Sequence, residues 1–250
     1  HSFPTRRSSD LARAGAQLAA RSKQAYAKAN VRSAGYLGIE KKFYDTYLTD
    51  SALTAPTDFS GGEHDPSATS MISTPPQGDN QSERLGKRIS IHSVQIKGNL
   101  KVNGEADQAG ADNPQRCFVA LVLDTQSNGA QLNSEEVFTQ AGAAATTHND
   151  TPLRNLLWGS RFRILKSMTH VFTLDGMAYS GTVNQIEQAG AATNFEWYIP
   201  FKDGLTVNFN AGTTASIANV IDNSLHVIAF TTDASNAAQL SYLARIRYTG

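Results

Sequence analysis

From Arg84 onward the chain alternates, and that period-two texture limits the fold more than any other feature of the sequence. β-Branched and aromatic residues recur every second position between clusters of Gly, Asn and Asp, the pattern of strands with one buried face. In "RISIHSVQIKGNLKV", Ile89 and Ile91 keep one phase, while Val94, Ile96, Leu100 and Val102 keep the other. A slip of one residue moves every side chain to the opposite face, so the change at His92 and Ser93 predicts a bulge or sharp bend in one long strand. "CFVALVLD" is apolar almost throughout and predicts a strand covered on both faces. "RFRILKS", "HVFTL", "FEWYIPF", "LTVNFN", "LHVIAFTT" and "QLSYLARIRYT" supply further strands. In the last, Leu240, Tyr242, Ala244, Ile246 and Tyr248 line one face, and Arg245 and Arg247 point the other way.

About eight strands, long loops and no convincing helix predict an all-β fold, a sandwich or barrel of one large domain. Thr49 to Glu83 reads as one long polar loop, and the loops 126–158 and 175–194 are long enough to suggest function.

Ahead of this body lies a segment of different character. Back-translated, residues 1–11 ("HSFPTRRSSDL") match the universal adapter of short-read sequencing libraries, so they are expected to be an artefact outside the fold. Residues 12–46 are then expected to form a basic, partly helical arm, and residues 47–250 the domain. Of 22 Lys/Arg and 22 Asp/Glu in the chain, residues 1–11 hold two and one, and residues 12–32 hold five and none. The rest is left with 15 basic against 21 acidic residues, so a cationic arm leads an acidic body.

The reactive residues do not gather into any common catalytic pattern. Glu63, His64 and Asp65 are adjacent and read as an acidic loop rather than a metal site. His92, His170 and His226 sit in separate strands with no second ligand at metal spacing and read as half-buried strand residues. Cys117, the only cysteine, opens an apolar strand and reads as a small buried hydrophobe. The sequence contains no GxxxxGK[ST], no G-x-S-x-G and no paired-histidine nickase motif. Neither an enzyme nor a bound cofactor or metal is expected. No stretch approaches the roughly 18 apolar residues of a membrane span, so membrane insertion is not expected.

Four phrases carry a resemblance: "GYLGIEKKFYDT" at 35–46, "RLGKRISIHSVQIKGNL" at 84–100, "VALVLDTQSNGA" at 119–130 and "LLWGSRFRILKS" at 156–167. In this order the chain resembles the capsid proteins of circular, Rep-encoding single-stranded DNA viruses, the circovirus-like group. The resemblance implies a single eight-stranded jelly roll, self-association of about sixty copies into a small icosahedral shell, and a single-stranded DNA genome as partner. It places the protein in the virion, with passage through the host nucleus during assembly. DNA contact is carried over to Arg13, Arg21, Lys23, Lys28 and Arg32, with Lys41 and Lys42 as weaker candidates. The dense arginine run of many such proteins is absent, so no nuclear-localisation signal is carried over. The competing reading is a carbohydrate-binding or cupin-like jelly roll, with Trp158 and Trp197 as its aromatics.

Overall fold

The computed structural model of the chain describes residues 40–53, 71–102, 105–106, 115–132, 134–139, 153–172, 186–187, 192–231 and 238–250. Two antiparallel sheets face each other. The first has the order β1–β11–β2–β9, built from Lys42–Ala52, Gln239–Thr249, Arg88–Lys101 and Ala192–Asn208. The second has the order β10–β4–β7, from Ser224–Thr231, Gln115–Asp124 and Phe162–Phe172. The free side of β10 is met by Met71, which forms an antiparallel bridge with His226, and by Ile72, whose N–H donates to the Leu225 carbonyl at 2.9 Å. This segment is an eighth strand shortened to a bridge. Four, three and one make the eight strands of a jelly-roll sandwich. Two short pairs lie outside it, β3 (Glu105–Ala106) with β8 (Ile186–Glu187) and β5 (Phe138–Thr139) with β6 (Leu153–Arg154). Among the described residues no helix is long and apolar enough to cross a membrane.

The predicted phase change in β2 is present. Ile91 pairs with Tyr248 and Leu205, whereas Ser93 pairs with Arg247 and Pro200, so His92 is the extra residue of a bulge. Both apolar phases are thereby buried, and Ile89, Ile91, Val94 and Ile96 all lie in the core. On the partner strand, residues 201–204 make a wide excursion opposite His92. Gly204 closes it at φ +76°, where a β-carbon would lie 2.2 Å from the Ser90 hydroxyl. Gly98 has a different reason, because the Phe195 ring occupies the space its β-carbon would need, 2.2 Å away.

β4 is covered on both faces, as its composition predicts. Cys117, Val119, Leu121 and Leu123 join the core between the sheets. Phe118, Ala120 and Val122 face a second cluster containing Leu132, Val137, Phe138, Phe162 and Phe230. Phe118 stacks on Phe230 at 4.8 Å and meets Phe138 edge-on at 5.3 Å, which pins Phe138 over the second sheet. Cys117 is fully buried, and desolvation pushes its thiol up to about 11.

Several boundaries differ from the sequence reading. β1 begins at Lys42, five residues before the expected start of the domain, so Lys42 to Thr46 belong to the sheet. "RFRILKS" and the start of "HVFTL" fuse into β7, whose ladder runs unbroken from Lys166 through His170, and "FEWYIPF" and "LTVNFN" fuse into β9 across an irregularity that breaks the alternation without ending the pairing. The polar stretch up to Glu83 is a loop only in part. Residues 71–86 are fastened to the body by Arg84, a fully buried side chain. Its guanidinium donates to the carbonyls of Gly86 and Gly212 and stacks 4.3 Å over Phe209.

Candidate functional site

The two most exposed large apolar side chains of the described residues, Leu156 and Leu157, share one turn with Leu153 and Trp158. Leu153, Leu156, Leu157 and Trp158 are 70%, 85%, 88% and 44% exposed. Leucines left this open to water are costly unless something covers them, and a contiguous set marks a contact surface. The turn itself is held firmly. Asn155 donates its N–H to the Val137 carbonyl at 2.9 Å and accepts from the Leu157 N–H at 3.0 Å. The N–H groups of Arg161 and Phe162 both return to the Trp158 carbonyl, at 3.0 and 3.1 Å. Arg154 donates to the Gly159 carbonyl and, at 2.7 Å, to the Phe162 carbonyl. The leucines are thus presented on a preorganised support, which lowers the ordering cost of any contact they make.

That support is anchored by charge. Arg161 clamps Asp124 at the end of β4 with two bonds of 3.0 Å, and its remaining terminal nitrogen reaches Glu136 at 3.0 Å. Asp124 is fully buried, and the carboxylate raises the Arg161 guanidinium above its ordinary range. Next to it, His226 is also fully buried rather than half-buried. Its Nε2 lies 2.7 Å from the Ser224 hydroxyl, which lies 2.5 Å from that of Ser127. Nδ1 has no hydrogen-bond partner. Desolvation, with a contribution from Arg161, pulls the His226 pKa down to about 4.

A stability prediction follows with a definite sign. His226 is neutral in the fold and takes a proton near pH 6.5 once unfolded, so the unfolded chain binds the extra proton between about pH 6.5 and 4. Stability is therefore full above that window and falls on acidification, by up to about 1.4 kcal/mol per pH unit. Denaturation midpoints across the window should show this slope, and His226→Gln should flatten it. An equal slope in the variant would assign the acid sensitivity to other groups.

The outward face of the first sheet holds the other polar surface. Arg245 is bound by Asp45 at 2.5 and 2.6 Å, Lys97 by Glu196 at 3.3 Å and Lys101 by Asp50 at 2.8 Å. Arg247, by contrast, pairs with no carboxylate among the described residues and is exposed. Arg88 is exposed too, donating to the Thr206 hydroxyl at 3.5 Å. His92 is exposed beside them, 3.0 Å from the Thr249 hydroxyl, and His170 stands at the edge strand 4.5 Å from the Phe172 ring.

Of the residues singled out for DNA contact, Arg13, Arg21, Lys23, Lys28 and Arg32 lie outside the described residues, as do Glu63, His64 and Asp65. Lys41 is exposed at the start of β1. Lys42 is 2% exposed, with its ammonium on the Asn80 carbonyl at 3.1 Å, which turns it towards the protein. The two tryptophans share no surface, because Trp197 packs against the inter-sheet core while Trp158 sits on the apolar turn. Among the described residues no three His, Cys, Asp or Glu side chains converge on a metal-sized site.

The eight strands form a jelly-roll double sheet, and an apolar turn is braced at one end of β7. The model of the geminivirus coat protein/nuclear export factor BR1 family matches residues 3–249, and the chain belongs to that family. It is a coat protein of the single-stranded DNA virus kind, and the family is structural rather than catalytic. No curated protein matches it. Among solved structures, dimeric latent PorU of Porphyromonas gingivalis is similar at 13% identity and a TM-score of 0.30, over 83% of this chain and 13% of that one. The Acheta domesticus densovirus structure is similar at 10% identity and a TM-score of 0.20, over 84% and 85%.

Proposed function

We propose that copies of this chain associate through the turn at 153–158 into a closed shell that packages circular single-stranded DNA, with the cations of residues 12–32 on the genome. The exposure of Leu153, Leu156, Leu157 and Trp158 on a rigid support carries the reading, since a second copy of the chain is the partner that a coat protein meets at highest concentration. Shell symmetry, about sixty copies, follows the resemblance and the preference of such assemblies for closed point groups. The narrower kinship with circovirus-like coat proteins rests on the four phrases already quoted, and passage through the nucleus rests on the same resemblance.

Electron microscopy of the expressed protein, with and without residues 1–11, tests the assembly. Uniform closed shells from both preparations are expected, since we infer that those eleven residues have no structural role. A monomer at all concentrations whose melting point rises with added sugar would favour the carbohydrate-binding alternative instead.

Packaging by the arm has its own signature. If Arg13, Arg21, Lys23, Lys28 and Arg32 each meet a phosphate, single-strand affinity falls with salt at a log–log slope of about −0.7 per contact, or about −3.5 for the five. Salt titrations on two unrelated oligonucleotides should give the same slope, because phosphate contacts carry no sequence information. Replacing the five by glutamine should remove most of it. A slope that stays whole would take the genome contact off the arm.

A further inference from the structure

We propose that the outward face of the first sheet carries a second single-strand contact, a short cationic track formed by Arg88 and Arg247 at the His92 bulge. The inference rests on the packaging reading and adds to it a site on the folded body. Its first support is a contrast in charge pairing. Along most of this face every cation is matched, Arg245 to Asp45, Lys97 to Glu196 and Lys101 to Asp50. At the end where β2 begins and β11 finishes, the matching stops. Among the described residues Arg88 and Arg247 have no carboxylate partner, and Lys202 and Asp203 stand exposed on the excursion of β9.

The backbone explains why these groups share a surface. Ile89 and Ile91 point into the core on one side of the bulge, so Arg88 and Ser90 point out; Ile246 and Tyr248 point in, so Arg247 and Thr249 point out. Arg247 pairs across the sheet with Ser93 and Thr249 with Ser90, which sets Arg247 beside His92 and the hydroxyls of Thr249 and Ser90 between the two arginines. Arg88 and Ser93 are five positions apart on β2, of which the bulge absorbs one, so they stand about 13 Å apart at the rise of a strand and the track has room for more than one phosphate. Without the bulge, Arg88 would fall on the core side of the register that places Arg247 outside, and the pair would be split.

Aromatic side chains flank the track. Phe43 pairs with Arg247 across β1 but already carries the Arg245 guanidinium 5.0 Å from its ring centroid, so the ring open to a base is that of Tyr198, two positions from Pro200 on β9 and 55% exposed. Cations for the backbone with rings for unstacked bases are the combination that selects a single strand over a duplex, whose bases already stack on each other. The ligand class is therefore single-stranded nucleic acid of any sequence.

The test uses the full chain with the five arm cations replaced by glutamine. Its binding to an oligonucleotide should keep a residual salt slope of about −1.4, two contacts at −0.7 each. Adding Arg88→Gln and Arg247→Gln should bring that slope close to zero, and Arg88→Lys with Arg247→Lys should restore it. Tyr198→Ala in the arm-neutral chain should weaken single-strand binding about tenfold and leave duplex binding unchanged. Both arginines are exposed, so the melting temperature of each variant should stay put. A residual slope indifferent to Arg88 and Arg247, or a duplex bound as tightly as a single strand, would overturn the proposal. Loss of all binding in the arm-neutral chain would overturn it too while leaving the arm reading intact. No salt-dependent binding by the unmodified chain would sink the packaging reading itself.

Discussion

Leu156→Asp with Leu157→Asp is expected to give folded monomers that form no shells at concentrations where the unmodified chain assembles completely. Both side chains are more than four-fifths exposed in the single chain, at 85% and 88%, so the fold buries almost nothing through them and should lose almost nothing. In a subunit contact the situation reverses. Burying a leucine is worth about 2 kcal/mol, so two of them supply about 4 kcal/mol per contact, close to three decades in association. The replacement also forces two carboxylates into the interface, each of which must be desolvated or neutralised. A closed shell repeats every contact once per subunit, so the deficit recurs all round it. Light scattering against concentration reads the shift, and circular dichroism confirms the fold. Unimpaired shells from the double variant would move the subunit contact to another surface, with Tyr47 and Tyr198 the most exposed large side chains on the first sheet.

What sequence alone revealed follows the same division between burial and exposure. The β2 bulge was legible because both of its apolar phases end in the core, and the alternation broke where the backbone does. The double covering of β4 was legible for the same reason, its residues being apolar at every position. β1 was not, because it is an edge strand whose outward and inward sides both mix aromatic with charged residues, from Phe43 and Asp45 to Tyr47 and Leu48. The eighth strand was invisible, since a single bridge at Met71 needs no periodicity. Leu156, Leu157 and Trp158 read in sequence as any apolar run does, and only their exposure distinguishes a contact surface from a core. The support beneath them left no trace in spacing at all. Asp124, Glu136 and Arg161 lie 12 to 37 positions apart, and their meeting is a product of the sheet register that sets Asp124 opposite Phe162.

That support is where a single substitution should do most damage to the fold. Asp124→Ala removes the carboxylate from a clamp whose arginine side chain is only 18% exposed, leaving the guanidinium with Glu136 as its one carboxylate and the Phe162 ring 4.6 Å away. Breaking a buried pair from one side costs about 3 to 5 kcal/mol, because the surviving charge keeps its desolvation penalty and loses its compensation. The partial exposure of Arg161 and its second partner place the expected loss near the lower figure, about 3 kcal/mol. Asp124 also accepts the N–H of Gln126 at 2.9 Å, so the turn leaving β4 loosens with it. Replacing both members, Asp124→Leu with Arg161→Met, should recover much of the loss, since an apolar pair carries no desolvation penalty. Urea denaturation of the two variants reads the difference, and assembly reads its consequence. The apolar turn hangs from Arg161, so Asp124→Ala should impair shells at temperatures where the sandwich is still folded. If the single variant lost less than about 1 kcal/mol, or if the double variant were no better, the clamp would be an ordinary surface ion pair, and the rigidity of the turn would have to come from the Arg154 and Asn155 hydrogen bonds alone.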